Sequence, residues 1–342
     1  MNFLQRSVVG LEFDVGSIRA VEIKGKKNNL QVVAAGEVFL PPAAFTDGQV
    51  KDVQTVCAAL KKLWREAKIG SRRLVLGFFN HGVLVRLINF PKVPRDKLES
   101  ALHLQAGEYL PVSPAEMVLD FAVIGEATDF EGDVWEILLV AARKEDLMNN
   151  INVLEQCKLE TQVIDATPFA LQRVLPVDKL MGTTIIVNLA MGVSSMVLVV
   201  DGMLRLARVL PVALEQYLSQ VEMDALAPAS AETVRLAAAG AESGTVDNEV
   251  FQSWAGSIAK EIRTAMSVVA RQHGLQHVDR IILSGIGAGV SGITTYLLDE
   301  LGITVETVDP TALLKIKEKI KLDLKRPEFA AGVGLALRGL EV

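Results

Sequence analysis

Cysteine is scarce in this 342-residue sequence, which contains only Cys57 and Cys157. Two cysteines cannot form the multiple disulfides that hold small secreted domains together, and they cannot supply a four-ligand zinc site. Both lie within apolar helical patterns. We therefore expect two buried thiols, which behave as small apolar side chains.

Positive charge is also in short supply, with 35 lysines and arginines against 41 aspartates and glutamates and a formal net charge of −6. A protein dedicated to nucleic acid normally carries an excess of basic residues, so nucleic acid is not an expected partner. Hydrophobic residues make up 50% of the sequence and charged residues 22%, which excludes an intrinsically disordered chain. The four histidines show no metal-ligand spacing, so no metal site is predicted.

A convincing membrane-spanning run is missing. Residues 180–200 carry no charged side chain, and a transmembrane helix needs about 20 apolar residues. However, glycine, serine, threonine and asparagine interrupt this stretch, which favours two β-strands around a Gly/Ser turn over a membrane helix. The N-terminal residues turn polar before any apolar signal segment forms, and we expect a cytoplasmic protein.

What the sequence does contain is a pattern that occurs twice. In each copy three short strands with polar breaks precede a helix, and the turn chemistry matches although the copies share little sequence identity. The strands are predicted at 8–13, 18–23 and 30–39 and again at 184–189, 195–200 and 204–210, with helices at 49–68 and 213–221. This duplication predicts an α/β protein with two related halves, each a mixed sheet flanked by helices.

A different pattern interrupts the first half. Between residues 83 and 155 the order is strand, helix, strand, strand, helix, which is typical of a small α+β unit. The predicted organisation is a first domain at 1–82, an insert at 83–155, a return to the first domain at 156–182, a second domain at 183–327 with a reduced segment at 222–250, and a closing helix at 328–342.

A basic run lies near the C-terminus. It contains Lys315, Lys317, Lys319, Lys321, Lys325 and Arg326. Such a run is usually the solvated face of a helix, and contact with acidic lipid or with a partner is the alternative.

Several motifs, taken in order, resemble the PilM family, the FtsA-like cytoplasmic proteins of type IV pilus assembly. They are GLEF at 10–13, SIRAVEI at 17–23, INFP at 88–91, EYLP at 108–111, LLVAARK at 138–144, RIILSG at 280–285 and AAGVGLALRGL at 330–340. Their order and spacing together carry the resemblance, which runs nearly from end to end. It implies an actin-like ATPase fold, consistent with the duplicated halves.

In that fold, the resemblance implies, two turns face each other and hold the phosphates of a nucleotide with Mg²⁺, using backbone N–H groups in glycine-rich turns. The positions that correspond to a nucleotide site are Glu12, Asp14, Gly16, Ser17, Arg19, Asn188, Gly192, Ser194, Glu261, Ser284, Gly285 and Gly287. For the first of these turns, the alternative interpretation is a plain β-turn. For Glu261, the alternative is an ordinary charge on the surface of a helix.

The departures from the family pattern indicate a degraded site. Asn188 stands where an Asp is expected and offers no negative charge to Mg²⁺. Asp14 places a carboxylate where phosphate should approach the backbone, Ala190 replaces a turn glycine, and Ile286 replaces another. We expect no ATP hydrolysis and no required cofactor, with weak binding of ATP and Mg²⁺ left open. The alternative is an active actin-like ATPase that uses Asp14 and Gly16; a sugar or acetate kinase ranks last, because no acidic base stands out.

The resemblance also implies a partner. In the family, a groove between the first subdomain and the insert clamps the cytoplasmic N-terminal tail of an inner-membrane protein, PilN. The groove candidates here are Phe90, Leu98, Leu102, Gln105 and Tyr109, for which ordinary insert core is the alternative. The implied function is a cytoplasmic scaffold held peripherally at the inner membrane, in contact with other pilus components and with self-association left open.

Overall fold

A computed structural model of the chain describes residues 7–26, 29–110, 113–129, 132–217, 248–273 and 277–341. Each half of the chain forms one mixed sheet, and the insert contributes a third, smaller sheet. The first half contains β1 (Ser7–Asp14), β2 (Ser17–Lys26), β3 (Asn29–Phe39), a ribbon of β4 (Phe45–Thr46) and β5 (Gln49–Val50), α1 (Val53–Glu66) and β6 (Arg73–Phe78).

The insert and the return to the first half follow. The insert consists of β7 (Leu84–Pro91), α2 (Arg95–Tyr109), β8 (Met117–Asp129), β9 (Gly132–Arg143) and α3 (Lys144–Gln156). The return consists of β10 (Glu160–Ala166), α4 (Thr167–Gln172) and the short α5 (Val177–Leu180).

The second half completes the chain. It contains β11 (Thr183–Asn188), β12 (Ser194–Val200), β13 (Met203–Leu210), α6 (Asn248–His273), β14 (Arg280–Ser284), α7 (Ile293–Leu301) and β15 (Thr304–Thr307). The chain then crosses back with β16 (Lys315–Ile316), which pairs with β3, and ends in α8 (Ala330–Glu341).

The two large sheets repeat one topology. The order is β3–β2–β1–β6–β10 in the first half and β13–β12–β11–β14–β15 in the second. In both, the first three strands are antiparallel and the last two are added in parallel. This confirms the duplicated α/β fold predicted from the sequence, while the domain boundaries stay predictions.

Local sequence accounts for the elements that frame the site. The first helix, α1, begins at an Asp52 cap, whose carboxylate accepts the backbone N–H of Thr55 at 3.0 Å. Its buried stripe of Val56, Leu60 and Leu63 follows helical spacing. This stripe packs in one core with the inward side chains of β1 and β2, so the helix fixes the sheet whose strands end at the cleft.

The closing helix α8 lies between the halves. One apolar core contains Val21 of the first sheet, Val197 of the second sheet and Val333 of α8. A β-carbon on Gly10 would collide with the carbonyl oxygen of Gly332. The close approach of α8 to β1 therefore requires glycine at position 10.

The insert has its own core beside the first sheet. Its sheet order is β7–β9–β8, with all neighbours antiparallel. Leu98 and Leu102 of α2 pack against Ile137 and Leu139 of β9. The strand β8 is therefore an edge strand of the insert sheet.

The uncharged stretch at 180–200 forms β11 and β12 around a turn that contains Gly192, which confirms the β interpretation. Across the described ranges, no helix combines the length and the apolar character needed to cross a membrane.

The predicted helix at 213–221 is wrong in its described part, where Leu214–Gln216 forms a single 3-10 turn. The segment predicted at 222–250 lies outside the described residues except for its last three, which begin α6.

The expectation of two free thiols is also wrong. Cys57 of α1 and Cys157, which follows α3, form a disulfide. The two cysteines are 100 residues apart in sequence, but packing of α3 against α1 brings their Cα atoms to 5.7 Å, within the usual range for a disulfide. Sequence spacing gave no sign of this contact, because it is made by tertiary packing.

The basic run does not form a helix face. Within 311–325 the described chain has one two-residue strand, β16, and otherwise turns and irregular backbone. The lysines of the run are exposed, as expected, whereas Arg326 is buried. The run divides into a solvated segment and one arginine that belongs to the cleft.

Candidate functional site

The turn after β1 and the turn after β11 face each other across the cleft between the halves. Gly16 in the first turn has φ = +78°, a conformation that favours glycine. Asp14 Oδ1 accepts the backbone N–H of Val15 at 2.9 Å and of Gly192 at 3.0 Å, and Oδ2 accepts that of Met191 at 3.1 Å. A carboxylate of the first half thus occupies backbone N–H donors of the second half.

The second turn is shaped for this contact. Ser194 Oγ accepts the backbone N–H of Ala190 at 3.1 Å and donates to the carbonyl of Val212 at 3.4 Å, which braces the turn from within. A β-carbon on Gly192 would collide with the side chain of Val15. The two turns therefore interlock, with backbone of one against side chains of the other.

Arg19 supplies the positive charge beside the Asp14 carboxylate. Its side chain is 3% exposed, and Nη1 lies 3.8 Å from Asp14 Oδ2 and 3.7 Å from Glu12 Oε2. Its Nε donates to Glu37 Oε1 at 2.8 Å. Burial alone would lower the pKa of Arg19, but the carboxylates of Glu37, Glu12 and Asp14 raise it. The arginine therefore stays charged and offsets buried negative charge.

Among the described cleft residues, Glu12 has a carboxylate whose hydrogen bonding is incomplete. Its Oε2 is buried and has no hydrogen-bond partner among the described residues. Burial raises the pKa of Glu12 to about 8, although the charge of Arg19 opposes the shift. At neutral pH the folded protein therefore holds this side chain largely as the neutral acid.

Three further charged residues extend the network, and the sequence patterns missed their role. Arg326 Nη2 donates to Glu37 Oε2 at 3.0 Å, and its Nε donates to Glu328 Oε1 at 2.7 Å. These residues connect β3 to the start of α8, behind Arg19. The basic run contains Arg326 but does not indicate its partners, and no motif marks Glu37 or Glu328, because these segments become adjacent only when the closing helix docks.

The glycine turn after β14 supports the second turn from behind. Asn188 at the end of β11 pairs in register with Ser284 of β14, whose Oγ donates to the carbonyl of Pro327 at 3.2 Å. Gly285 has φ = +79°, and a β-carbon there would crowd Asn188 Oδ1. Ile286 is buried in the apolar core of the second half.

Little space remains between the turns. A cavity of about 40 Å³ is lined by both, including Glu12, Asp14 and Asn188. That is room for a few water molecules.

The structure brings together the first turn, the second turn and the glycine turn as the sequence predicted, with Ser17 buried at the start of β2. Glu261 of α6 instead forms an ion pair with Arg208 of β13.

A second candidate site is an open groove between the insert and the first half. Its volume is about 570 Å³. Residues of two edge strands, β8 and β10, line it together with β9, α4 and α8; the lining includes Val118, Asp120, Phe121, Leu138, Ile164, Asp165, Phe169, Arg173 and Arg338. We call this cavity the insert groove.

The predicted groove residues need correction. Phe90, Leu98 and Leu102 are buried in the core between α2 and the insert sheet. Tyr109 is half-buried against Phe90, and Gln105 is exposed on α2. The insert-core alternative therefore describes the three apolar residues, and the groove is formed by β8 and β10 instead. The apolar periodicity of α2 correctly predicted which of its residues are buried. It could not predict which strand edges border the groove.

The repeated sheets, the cleft between them and the small insert in the first half define the actin-like ATPase fold. The chain belongs to the PilM family of type IV pilus assembly proteins, whose family model matches residues 10–340.

Solved structures agree with the fold. A PilM–PilN type IV pilus biogenesis complex contains a chain with a TM-score of 0.81 and 24% identity, covering 98% of this chain and 99% of that one. The ethanolamine utilization protein EutJ from Carboxydothermus hydrogenoformans gives a TM-score of 0.54 and 14% identity, covering 97% of this chain and 89% of that one.

Proposed function

We propose that this protein is a cytoplasmic scaffold of a type IV pilus machine that holds the tail of a PilN-like inner-membrane protein in the insert groove and does not hydrolyse ATP. The observation that carries the proposal is the insert groove itself, an open and largely apolar cavity bordered by two strand edges. Membership of the PilM family and likeness to a chain solved in a PilM–PilN complex support the choice of partner.

The strand edges suit an extended tail. Within the described ranges, β8 pairs only with β9, and β10 pairs only with β6. Each therefore has one edge whose backbone groups are free for pairing with an added strand. Main-chain pairing of this kind supplies affinity, while alternate side chains of the tail enter pockets that supply specificity.

The groove lining favours apolar side chains on the tail. Phe121, Leu138 and Phe169 present aliphatic and aromatic surface. The Arg173 side chain in the wall is already paired with Asp165 and Glu341. A tail that alternates apolar residues toward the groove with polar residues toward solvent fits this surface.

The residues and the volume of the cleft support the proposal that the protein does not hydrolyse ATP. Asp14 takes the Met191 and Gly192 N–H groups that a phosphate would need, and its charge repels a triphosphate. The remaining 40 Å³ is far below the several hundred Å³ of a typical ligand site. Asn188 carries no charge with which to hold hydrated Mg²⁺. The residues present do not fit a magnesium nucleotide.

Tail binding is tested by fluorescence anisotropy with a labelled peptide of the complete cytoplasmic tail of the PilN-like protein. Val118 in the groove and Leu298 on α7 are both 44% exposed, so Val118→Arg and Leu298→Arg form a matched pair. We expect Val118→Arg to weaken binding by about 10- to 100-fold and Leu298→Arg to leave it unchanged. Equal affinity in all three proteins would overturn the groove assignment.

Turnover is tested by phosphate release from purified protein with Mg-ATP, comparing the natural chain with Asn188→Ala and Asp14→Ala. We expect no release above buffer from any of the three, because phosphoryl transfer depends on positioned charges that the cleft lacks. Steady release that both substitutions abolish would show an active ATPase.

Membrane association through a partner predicts peripheral behaviour. Alkaline carbonate should strip the protein from membranes, and resistance to extraction would contradict this part of the proposal.

A further inference from the structure

A third cavity, of about 380 Å³, shares no lining residue with the cleft cavity or with the insert groove. It lies between α1 and the segment that leads into β10, and its apolar wall is formed by Leu60, Ile69, Cys157 and Leu159. The charged part of the lining consists of Lys61, Arg65 and Arg72, and among the described residues it includes no aspartate or glutamate. We call this space the basic cavity; its volume is in the range of ligand sites.

The three cations of the basic cavity are not explained by pairing within the described part of the chain. There, Lys61 and Arg72 form no ion pair, and Arg65 has only an exposed contact with Glu66 at 3.5 Å. Lys61 and Arg65 are four residues apart on α1, so like charges repel on one helix face. The helix dipole favours a cation in the last turn, as at Arg65, but does not reach Arg72. The arrangement therefore suits an anion from outside the chain.

Two lining residues are held in position. Arg72 Nη1 donates to the carbonyl of Lys158 at 3.1 Å, and Trp64 Nε1 donates to the carbonyl of Ser71 at 2.9 Å. Trp64 is half-buried and lines the cavity beside the apolar wall. Guanidinium and ammonium groups bind phosphate, and tryptophan is enriched where membranes meet water. Together they suit a phosphate that is attached to an aliphatic body.

The surface around the basic cavity is also positive. Residues 60–73 include six basic residues and one acidic residue, although the whole chain has a net charge of −6. Lys62, Lys68 and Arg73 are exposed next to the lining residues, and of these only Arg73 has an ion pair among the described residues, a long exposed one with Glu160 at 3.9 Å. A positive surface wider than one phosphate needs is suited to a membrane that carries many anionic lipids.

We infer that the basic cavity binds the phosphate of an anionic phospholipid, so that this face of the first half lies directly against a membrane. Lys61, Arg65 and Arg72 neutralise the phosphate, the apolar wall contacts the aliphatic part of the lipid, and the exposed basic neighbours meet adjacent headgroups. The inference goes beyond the proposed function, because it requires no partner protein and leaves the insert groove free for the tail.

Vesicle co-sedimentation tests this with the purified full-length protein alone. The variant Lys61→Gln with Arg65→Gln removes two charges from the basic cavity, and Lys319→Gln with Lys321→Gln removes two from the exposed basic run. Glutamine keeps the helix propensity of lysine and arginine. On vesicles of phosphatidylglycerol and phosphatidylcholine, we expect the first variant to bind about 10- to 30-fold more weakly than the natural chain and the second to bind equally well.

The other outcomes would contradict the inference. Equal losses in the two variants would assign binding to diffuse charge, and a loss confined to the second variant would assign it to the basic run. A natural chain that binds vesicles of phosphatidylcholine alone equally well, or that binds neither kind of vesicle, would overturn a site for anionic lipid. Binding of soluble glycerol phosphate in calorimetry without vesicle binding would assign the cavity to a free phosphate ester instead.

Trp64 provides a second readout that does not depend on the charge variants. The other two tryptophans, Trp135 and Trp254, are only 5% and 2% exposed. Vesicles that contain brominated phosphatidylglycerol quench indoles at the bilayer surface, so they should lower the tryptophan fluorescence of the natural chain but not that of Trp64→Phe. Equal quenching of both proteins, or no quenching of the natural chain, would overturn the placement of the basic cavity against the membrane.

Discussion

The cleft between the halves and the insert groove differ in what fills them. In the cleft, Asp14 takes the backbone donors of the facing turn, and Arg19 lies buried among carboxylates. In the insert groove, apolar side chains and strand edges face an open cavity more than ten times larger. Apart from Glu12 Oε2, the charged side chains of the cleft are paired within the protein, whereas the strand edges of the groove are open.

This difference separates structural from binding residues. Cleft residues belong to a buried charge network, so removing one leaves uncompensated charge and costs stability. Val118 of the groove is 44% exposed, so changing it should cost little stability and act on partner binding. The predictions below measure that contrast, beginning with the largest effect.

Replacing the central cation of the cleft should have the largest effect. Arg19→Met removes the buried cation beside Asp14 and Glu12 and leaves Glu37 with Arg326 alone. We expect a loss of about 3–5 kcal/mol in the free energy of unfolding. Urea unfolding followed by circular dichroism measures it. The control is Arg263→Met, whose half-exposed pair with Glu300 should contribute under about 1 kcal/mol. Similar losses in both variants would contradict a structural cleft.

Opening the disulfide should have the next largest effect, on the groove side. It ties α1 to the end of α3, which leads directly into β10, a wall of the groove. Because the bond closes a loop of 100 residues, the double variant Cys57→Ser with Cys157→Ser should lose about 2–4 kcal/mol of unfolding free energy. Reductant should destabilise the natural chain similarly and leave the double variant unaffected; a natural chain insensitive to reductant would contradict this.

The pH dependence of stability should report on Glu12. Its pKa rises from an ordinary 4.5 to about 8 in the folded protein, so the folded state binds the proton more tightly than the unfolded state. The resulting stability is fully present below pH 4.5 and is lost as pH rises through about 8. Between pH 6 and 9 the natural chain should lose about 1–3 kcal/mol relative to Glu12→Gln. Parallel stability curves for the two proteins would refute the assignment.

The smallest effect should come from the groove. Val118→Arg lies on a partly exposed edge strand and should change the unfolding free energy by no more than about 1 kcal/mol, although it weakens tail binding. Leu298→Arg should match it in stability and differ in binding. A large stability loss confined to Val118→Arg would make its binding defect a consequence of misfolding.

The sequence predicted the architecture well because the periodicity of apolar residues and the residue types of the turns encode it locally. The twofold order of strands required no tertiary information, and the three turns of the cleft were each identified from glycines and polar residues. The contacts across the cleft were less accessible. The sequence showed that Asp14 is atypical of a phosphate-binding turn. It did not show that the Asp14 carboxylate accepts hydrogen bonds from Met191 and Gly192, which are 177 and 178 residues away.

Other features depend on packing that no local pattern encodes. Leu98 and Leu102 were correctly identified as apolar helix positions, but helical spacing does not say whether a stripe faces a core or a groove. The roles of Arg326 and Cys157 appear only when distant segments meet. The insert groove arises from two strand edges, and edge position is a property of sheet order rather than of sequence.

Hydrogen exchange of the natural chain, alone, with the tail peptide and with Mg-ATP, tests the central claim most directly, because slowed exchange reports where each ligand protects the backbone. The account predicts that the tail slows exchange along β8 and β10, and that Mg-ATP leaves the Met191 and Gly192 amides unchanged because Asp14 already holds them. Slower exchange of these two amides with Mg-ATP, together with no protection of β8 by the tail, would contradict it.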